Sequence, residues 1–287
     1  MDREDVRLAI RNIKNLPTLP AIVGRILEVA DDASASAREL AEIIQHDQSV
    51  SAKVLNLANS AFYGFSRRIA TIPQAVVVLG FDTVKSLALG VSVFQSLSQK
   101  VGRMSFDREK FWVHSVGCAA AAKIVAKNLG LRDVGTPFVG GLLHDIGKVI
   151  LDTHFNERYQ EAMAEMIEEG RSAVDVEMDV LSIDHAEVGG WLAARWKFPD
   201  SLVAPIAYNH NLLGAHGEGL NYAVMVHLAN YLTKLNGIGL NCESGLIEPS
   251  DMVERVLGIG PLKVNAISAE LQGEKEYVQK FFQYLKG

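Results

Sequence analysis

The stretch Gly140-Gly141-Leu142-Leu143-His144-Asp145-Ile146-Gly147-Lys148-Val149-Ile150-Leu151 constrains this chain most, because it sets an adjacent histidine and carboxylate inside an apolar run. Burying such a pair costs free energy unless it is hydrogen-bonded or coordinated. On one helix the two side chains would point about 100° apart, so both could reach a single metal while Lys148 lies one turn on. Imidazole and carboxylate together suit a divalent transition metal. Lys148 can contact a phosphate or pair with Asp145, and the pair is the favoured reading.

The rest of the chain reads as helices. Residues 3 to 14 carry apolar positions at helical spacing, Pro17 and Pro20 bracket a short extended link, and Ala21 to Ala30 resumes a helix. Ser36 with Glu39 is a capping-box signature, Ser49 to Ala61 follows, and Thr71 before Ile72-Pro73 opens a helix that ends at Gly80. Asp82 then caps a longer helix through about Leu97. A long helix is expected over Arg108 to Leu129, with His114 two turns in and Gly130 past its end. The next helix should carry the His-Asp pair, and Asp184 should cap the helix that presents His185. Gly214, Gly217 and Gly219 read as a flexible loop before an apolar helix over Leu220 to Leu235. No strand pattern emerges, so the expectation is an all-α protein with an N-terminal lobe (1–100) and a second helical unit (101–287).

Composition excludes several classes. With 48% hydrophobic and 22% charged residues the chain has a globular profile, and a net charge of -6 disfavours a nucleic-acid binder. Two distant cysteines, Cys118 and Cys242, point to reduced thiols rather than a disulfide framework. No apolar run reaches the roughly 20 residues of a membrane span, and residues 1 to 15 are too charged for a signal peptide. A cytoplasmic location without membrane contact is the resulting expectation.

The His144-Asp145 pair, with Phe111-Trp112-Val113-His114-Ser115 upstream, resembles the HD superfamily of metal-dependent phosphohydrolases. Leu16-Pro17-Thr18-Leu19-Pro20 and the Trp191 to Pro199 segment narrow the resemblance to the HDOD family (HD-related output domain) of bacterial signalling proteins, over roughly residues 10 to 215. The resemblance implies an HD-like helical bundle behind the N-terminal lobe. It also implies a metal set of His114, His144, Asp145, His185 and His210, following the ligand order of the two-metal HD-GYP phosphodiesterases. Iron, manganese or nickel would be the cofactor.

Two positions depart from that order. Asn209-His210 stands where those enzymes carry His-His, and Asn230 stands where they carry a final Asp. The Gly-Tyr-Pro motif is missing as well. An amide carries no charge and binds transition metals poorly. The implied function is therefore a non-catalytic signalling module that acts through another signalling protein, with a nucleotide as a further candidate partner. The alternative is a metal-dependent phosphohydrolase or phosphodiesterase acting on a nucleotide or cyclic dinucleotide.

Overall fold

The computed structural model of the chain describes residues 19–31, 36–60, 63, 65, 67–98, 105–239, 249 and 251–286. The helix expected over residues 3–14, most of the Leu16 to Pro20 motif and Cys242 lie outside them. The described residues contain α-helices, one short 3-10 turn and no strand, as the helical periodicity implies.

Among the described residues, five helices precede the long one: α1 (Ala21–Asp31), α2 (Ala37–Gln45), α3 (Gln48–Ala58), α4 (Ile72–Leu79) and α5 (Phe81–Ser98). Their starts follow local chemistry. The Ser36 hydroxyl accepts from the Glu39 amide at 3.2 Å while Glu39 Oε2 accepts from the Ser36 amide at 2.8 Å, closing the capping box. Asp47 caps α3 through the Val50 amide, and Thr71 caps α4 ahead of Pro73. Gly80, at φ 91°, ends α4 in a conformation that L side chains rarely adopt. Asp82 lies in the first turn of α5 and not at its cap.

The second half is built on α6 (Arg108–Asn128), which is buried without a break from Phe111 to Ala126. Around it pack α7 (Gly135–Leu143) and α13 (Gly217–Leu235). Between those two in sequence run α8 (Ile146–His154), α9 (Asn156–Glu169), α10 (Ala173–Leu181), α11 (His185–Arg195) and α12 (Asp200–Tyr208). Gly217 and Gly219 begin α13 instead of forming a loop. Three helices close the chain: α14 (Met252–Leu257), α15 (Pro261–Gly273) and α16 (Lys275–Lys286). The last one packs on α6 and returns to α3 and α5, where Tyr277 donates to Ser60 Oγ at 2.9 Å. The apolar core is continuous from Ile22 to Leu285.

The His-Asp pair does not ride on one helix. His144 and Asp145 form the break between α7 and α8, and Asp145 leaves helical geometry at φ -103°, ψ 9°. The His144 ring Nδ1 donates at 2.8 Å to Gly141 O, the carbonyl that the Asp145 amide would take in an unbroken helix.

Two close helix crossings flank this break. A Cβ on Gly141 would lie 2.6 Å from the Cys118 carbonyl oxygen on α6, and one on Gly147 would lie 1.8 Å from the His185 carbonyl oxygen on α11. Both obstacles are backbone, so neither can move aside cheaply. Gly147→Ala is expected to destabilise the protein by about 3 kcal/mol or more through overpacking. Gly24→Ala, on an open face of α1, should instead add up to about 1 kcal/mol of helix propensity. Urea unfolding of both variants checks the contrast, and equal effects would contradict it.

Candidate metal centre

The α6–α7 crossing brings three donors together. On α6, His114 Nε2 lies 3.5 Å from the sulfur of Cys118, one turn further along. That sulfur is 3.9 Å from His144 Nε2. Because a carbonyl only accepts, the contact with Gly141 O fixes the proton of His144 on Nδ1 and leaves Nε2 with its lone pair facing the sulfur. His114 Nδ1 faces Ile238 O at 3.4 Å, a longer contact that favours the same tautomer.

The α8–α11 crossing supplies the second group. Asp145 Oδ1 sits 3.3 Å from His144 Nε2 and 3.1 Å from His185 Nε2, and His185 Nε2 faces His210 Nε2 at 3.1 Å. The other edge of His185 is held by Glu177: ring Nδ1 donates to Oε2 at 2.6 Å, and the His185 amide donates to the same oxygen at 2.8 Å. Tyr159 donates to Glu177 Oε1 at 3.2 Å. Lys148 takes Asp145 Oδ2 at 2.8 Å, so the lysine pairs with the aspartate as expected.

Burial and charge set the protonation pattern. Burial alone would raise the Asp145 carboxyl, but the His144 ring, the Lys148 ammonium and His185 hold it well below the usual carboxylate range. Burial disfavours the charged form of His185, yet the Glu177 and Asp145 carboxylates outweigh it and raise the ring to about 9. His114 is pushed down to about 3 by burial and by the neighbouring His144, and His144 and His210 are also lowered, chiefly by burial. Burial pushes the Cys118 thiol up to about 12.

These residues fit a divalent metal. Asp145 Oδ1 is buried and makes no hydrogen bond of good geometry, although two imidazole nitrogens face it. Donors bound to one tetrahedral metal through bonds of about 2.0–2.1 Å lie about 3.3 Å apart, close to the 3.1–3.3 Å separations seen here. The Glu177–His185 contact is the carboxylate–imidazole support that fixes a ligand tautomer in metal sites.

All five expected residues, His114, His144, Asp145, His185 and His210, therefore lie in two abutting groups. Sequence reasoning missed Cys118 and Glu177. Cys118 carried a signal, its spacing of four from His114 on an apolar helix. Glu177 carried only its place on the largely apolar α10. Asn209 turns its amide nitrogen to Pro205 O and Ile206 O on its own helix, its backbone carbonyl accepts from His227 Nδ1 at 2.7 Å, and its side-chain Oδ1 is buried without a hydrogen-bond partner. Asn230 is buried on α13 with Oδ1 lacking a hydrogen-bond partner.

An all-α bundle with a buried histidine–carboxylate centre at a helix break defines the class of protein. The HDOD domain family matches residues 16–212, and the chain belongs to that family. An HDOD domain protein of unknown function from Geobacter sulfurreducens shares the fold at 26% identity and a TM-score of 0.78, with 98% of this chain and 96% of that one aligned. A protein from Marinobacter aquaeolei VT8, provisionally called a signal transduction protein, is 23% identical with a TM-score of 0.78, over 100% of this chain and 66% of that one. A Shewanella amazonensis SB2B protein, provisionally called a phosphohydrolase, is 24% identical with a TM-score of 0.72, over 96% and 97%. An uncharacterized protein of Treponema pallidum (strain Nichols) is 26% identical over 211 residues, 72% of this chain, and the match spans 40% of that relative's length.

The raised folded-state value of His185 fixes a sign. A basic group raised from 6.5 to about 9 stabilises the folded state below 6.5 and loses that contribution as pH rises through 9. In chelator-treated protein, urea unfolding stability is expected to fall by on the order of 3 kcal/mol across that window. Glu177→Gln should flatten the slope, and an unchanged slope in that variant would remove Glu177 from this role.

Proposed function

We propose that this protein is a non-catalytic signal-transduction module that acts through contacts with another signalling protein, its histidine–carboxylate centre serving as a metal-stabilised core element. The observation that carries this reading is burial. His144 and His185 are 0% exposed, Asp145 2% and His114 3%, whereas a phosphohydrolase must present its metal and bound water to a phosphoryl group. Asn209 and Asn230 remove donors at the two positions where the phosphodiesterase order has a histidine and an aspartate. The metal, when bound, would neutralise the facing carboxylate and hold the imidazoles of α6, α7 and α11 to one point. Its identity on this reading follows the donors, with iron, manganese and nickel as the metals of the histidine–aspartate set.

The competing reading is a phosphohydrolase working on a nucleotide or cyclic dinucleotide. The partly exposed His210 favours it, as the one member of the cluster that reaches toward solvent.

Hydrolysis of a chromogenic phosphodiester and of cyclic dinucleotides with manganese, iron or nickel separates the two. The expected result is no turnover above metal alone. Asp145→Ala should lower stability by about 3 kcal/mol, the scale for breaking a buried charged pair, and His144→Ala should lower it through the buried ring packing and the Gly141 contact it removes, with no activity to lose in either. Metal-dependent turnover that disappears in Asp145→Ala would overturn the proposal. Asn230→Asp should tighten metal binding, and unchanged affinity would sink the assignment of position 230.

A further inference from the structure

We propose that Cys118 is a metal ligand, so that His114, Cys118 and His144 form a thiolate-containing position selective for zinc-like metals beside the Asp145–His185–His210 group. The inference rests on the reading that this cluster holds a metal, and it adds a donor class that the histidine–aspartate set lacks.

Geometry is the first support. A tetrahedral metal with bonds of about 2.3 Å to sulfur and 2.0–2.1 Å to nitrogen sets sulfur and nitrogen about 3.5 Å apart. The Cys118 sulfur lies 3.5 Å from His114 Nε2 and 3.9 Å from His144 Nε2. Both rings turn Nδ1 toward backbone carbonyls, which leaves the two Nε2 lone pairs on the side of the sulfur. One thiol carries only one hydrogen, so at most one of these two contacts is a conventional S–H···N bond. A metal bound by all three donors, whose ligand atoms lie within 4.8 Å of one another, would satisfy them together.

Charge is the second support. Asp145 is the one carboxylate among the donors, and Lys148 already neutralises its other oxygen at 2.8 Å. Position 230 contributes an uncharged amide. A dication in a fully buried site needs further anionic charge close by, and a thiolate provides it. On binding, the thiol hydrogen leaves to solvent as a proton and the sulfur lone pair bonds the metal, with no change of oxidation state. Thiolate and imidazole together favour zinc and cobalt(II) over manganese, which prefers oxygen donors.

Cobalt(II) added to chelator-treated full-length protein is the test. The expected spectrum has a near-ultraviolet thiolate-to-cobalt charge-transfer band, displaced by zinc and not by manganese. The chain has two cysteines, so the band should persist in Cys242→Ser and vanish in Cys118→Ser. If Cys118→Ser does not fold, the wild-type and Cys242→Ser spectra decide alone. Cobalt bound with ligand-field bands but no charge-transfer band would overturn the thiolate ligand and leave the histidine–aspartate centre standing. Loss of the band in Cys242→Ser would also overturn it, and a protein that takes up no cobalt would overturn both.

Discussion

The close approach of α7 and α8 to their neighbours on either side of the His-Asp break is the constraint on which the centre depends. Gly141 seats α7 against the carbonyl of Cys118, and Gly147 seats α8 against the carbonyl of His185. Backbones that close leave no room for a side chain, so the residues just outside the contacts are brought to fixed separations. Cys118 and His185 are themselves the residues whose carbonyls are met. The same two contacts thus form the helix packing and align the donors, and a loss of either would be felt as instability and as misplacement of the ring atoms.

Burial then makes the electrostatics consequential. Asp145, Lys148, His185 and Glu177 form a chain of opposite charges with contacts of 2.6–3.1 Å, and in a poorly hydrated site each member is costly without its partner. Tyr159 closes one end by donating to Glu177. Such a network favours one arrangement of α8, α10 and α11 over others, because any rotation strands a charge. What a metal would add is a further tie to α6 and α7, from the opposite side of Asp145.

Much of the helical frame was legible because its signals are local. The Ser36–Glu39 capping box, the Thr71 cap before Pro73 and the Asp184 cap all depend on residues within a few positions, and each is found as read. The five expected donors converge as well, since they lie on apolar helices where polar groups need partners. The break at His144 was not legible. It arises when a ring nitrogen captures the Gly141 carbonyl, a competition between side chain and backbone that periodicity does not register. Glu177 was missed for a related reason. Its role depends on α10 lying beside α11, a tertiary contact eight residues removed, while in sequence it is one more acid on a short helix. Cys118 was passed over as a reduced thiol, although its spacing from His114 sets both on one helix face.

The placement of the amides carries the last step. An aspartate in place of Asn230 would bring a further carboxylate into the core and, with it, a desolvation cost that a bound cation would offset. The amide avoids that cost, and without a metal the site would hold Cys118 protonated and three of the four imidazoles in their neutral forms. A ligand that binds only the folded protein stabilises it in proportion to the logarithm of its concentration over its dissociation constant. A buried centre that is tolerable empty and tighter when filled is coupled to the rigidity of the helices around it, whereas a hydrolytic centre needs an open coordination position facing substrate. On the proposed reading, the burial of His144, Asp145 and His185 answers to the first requirement.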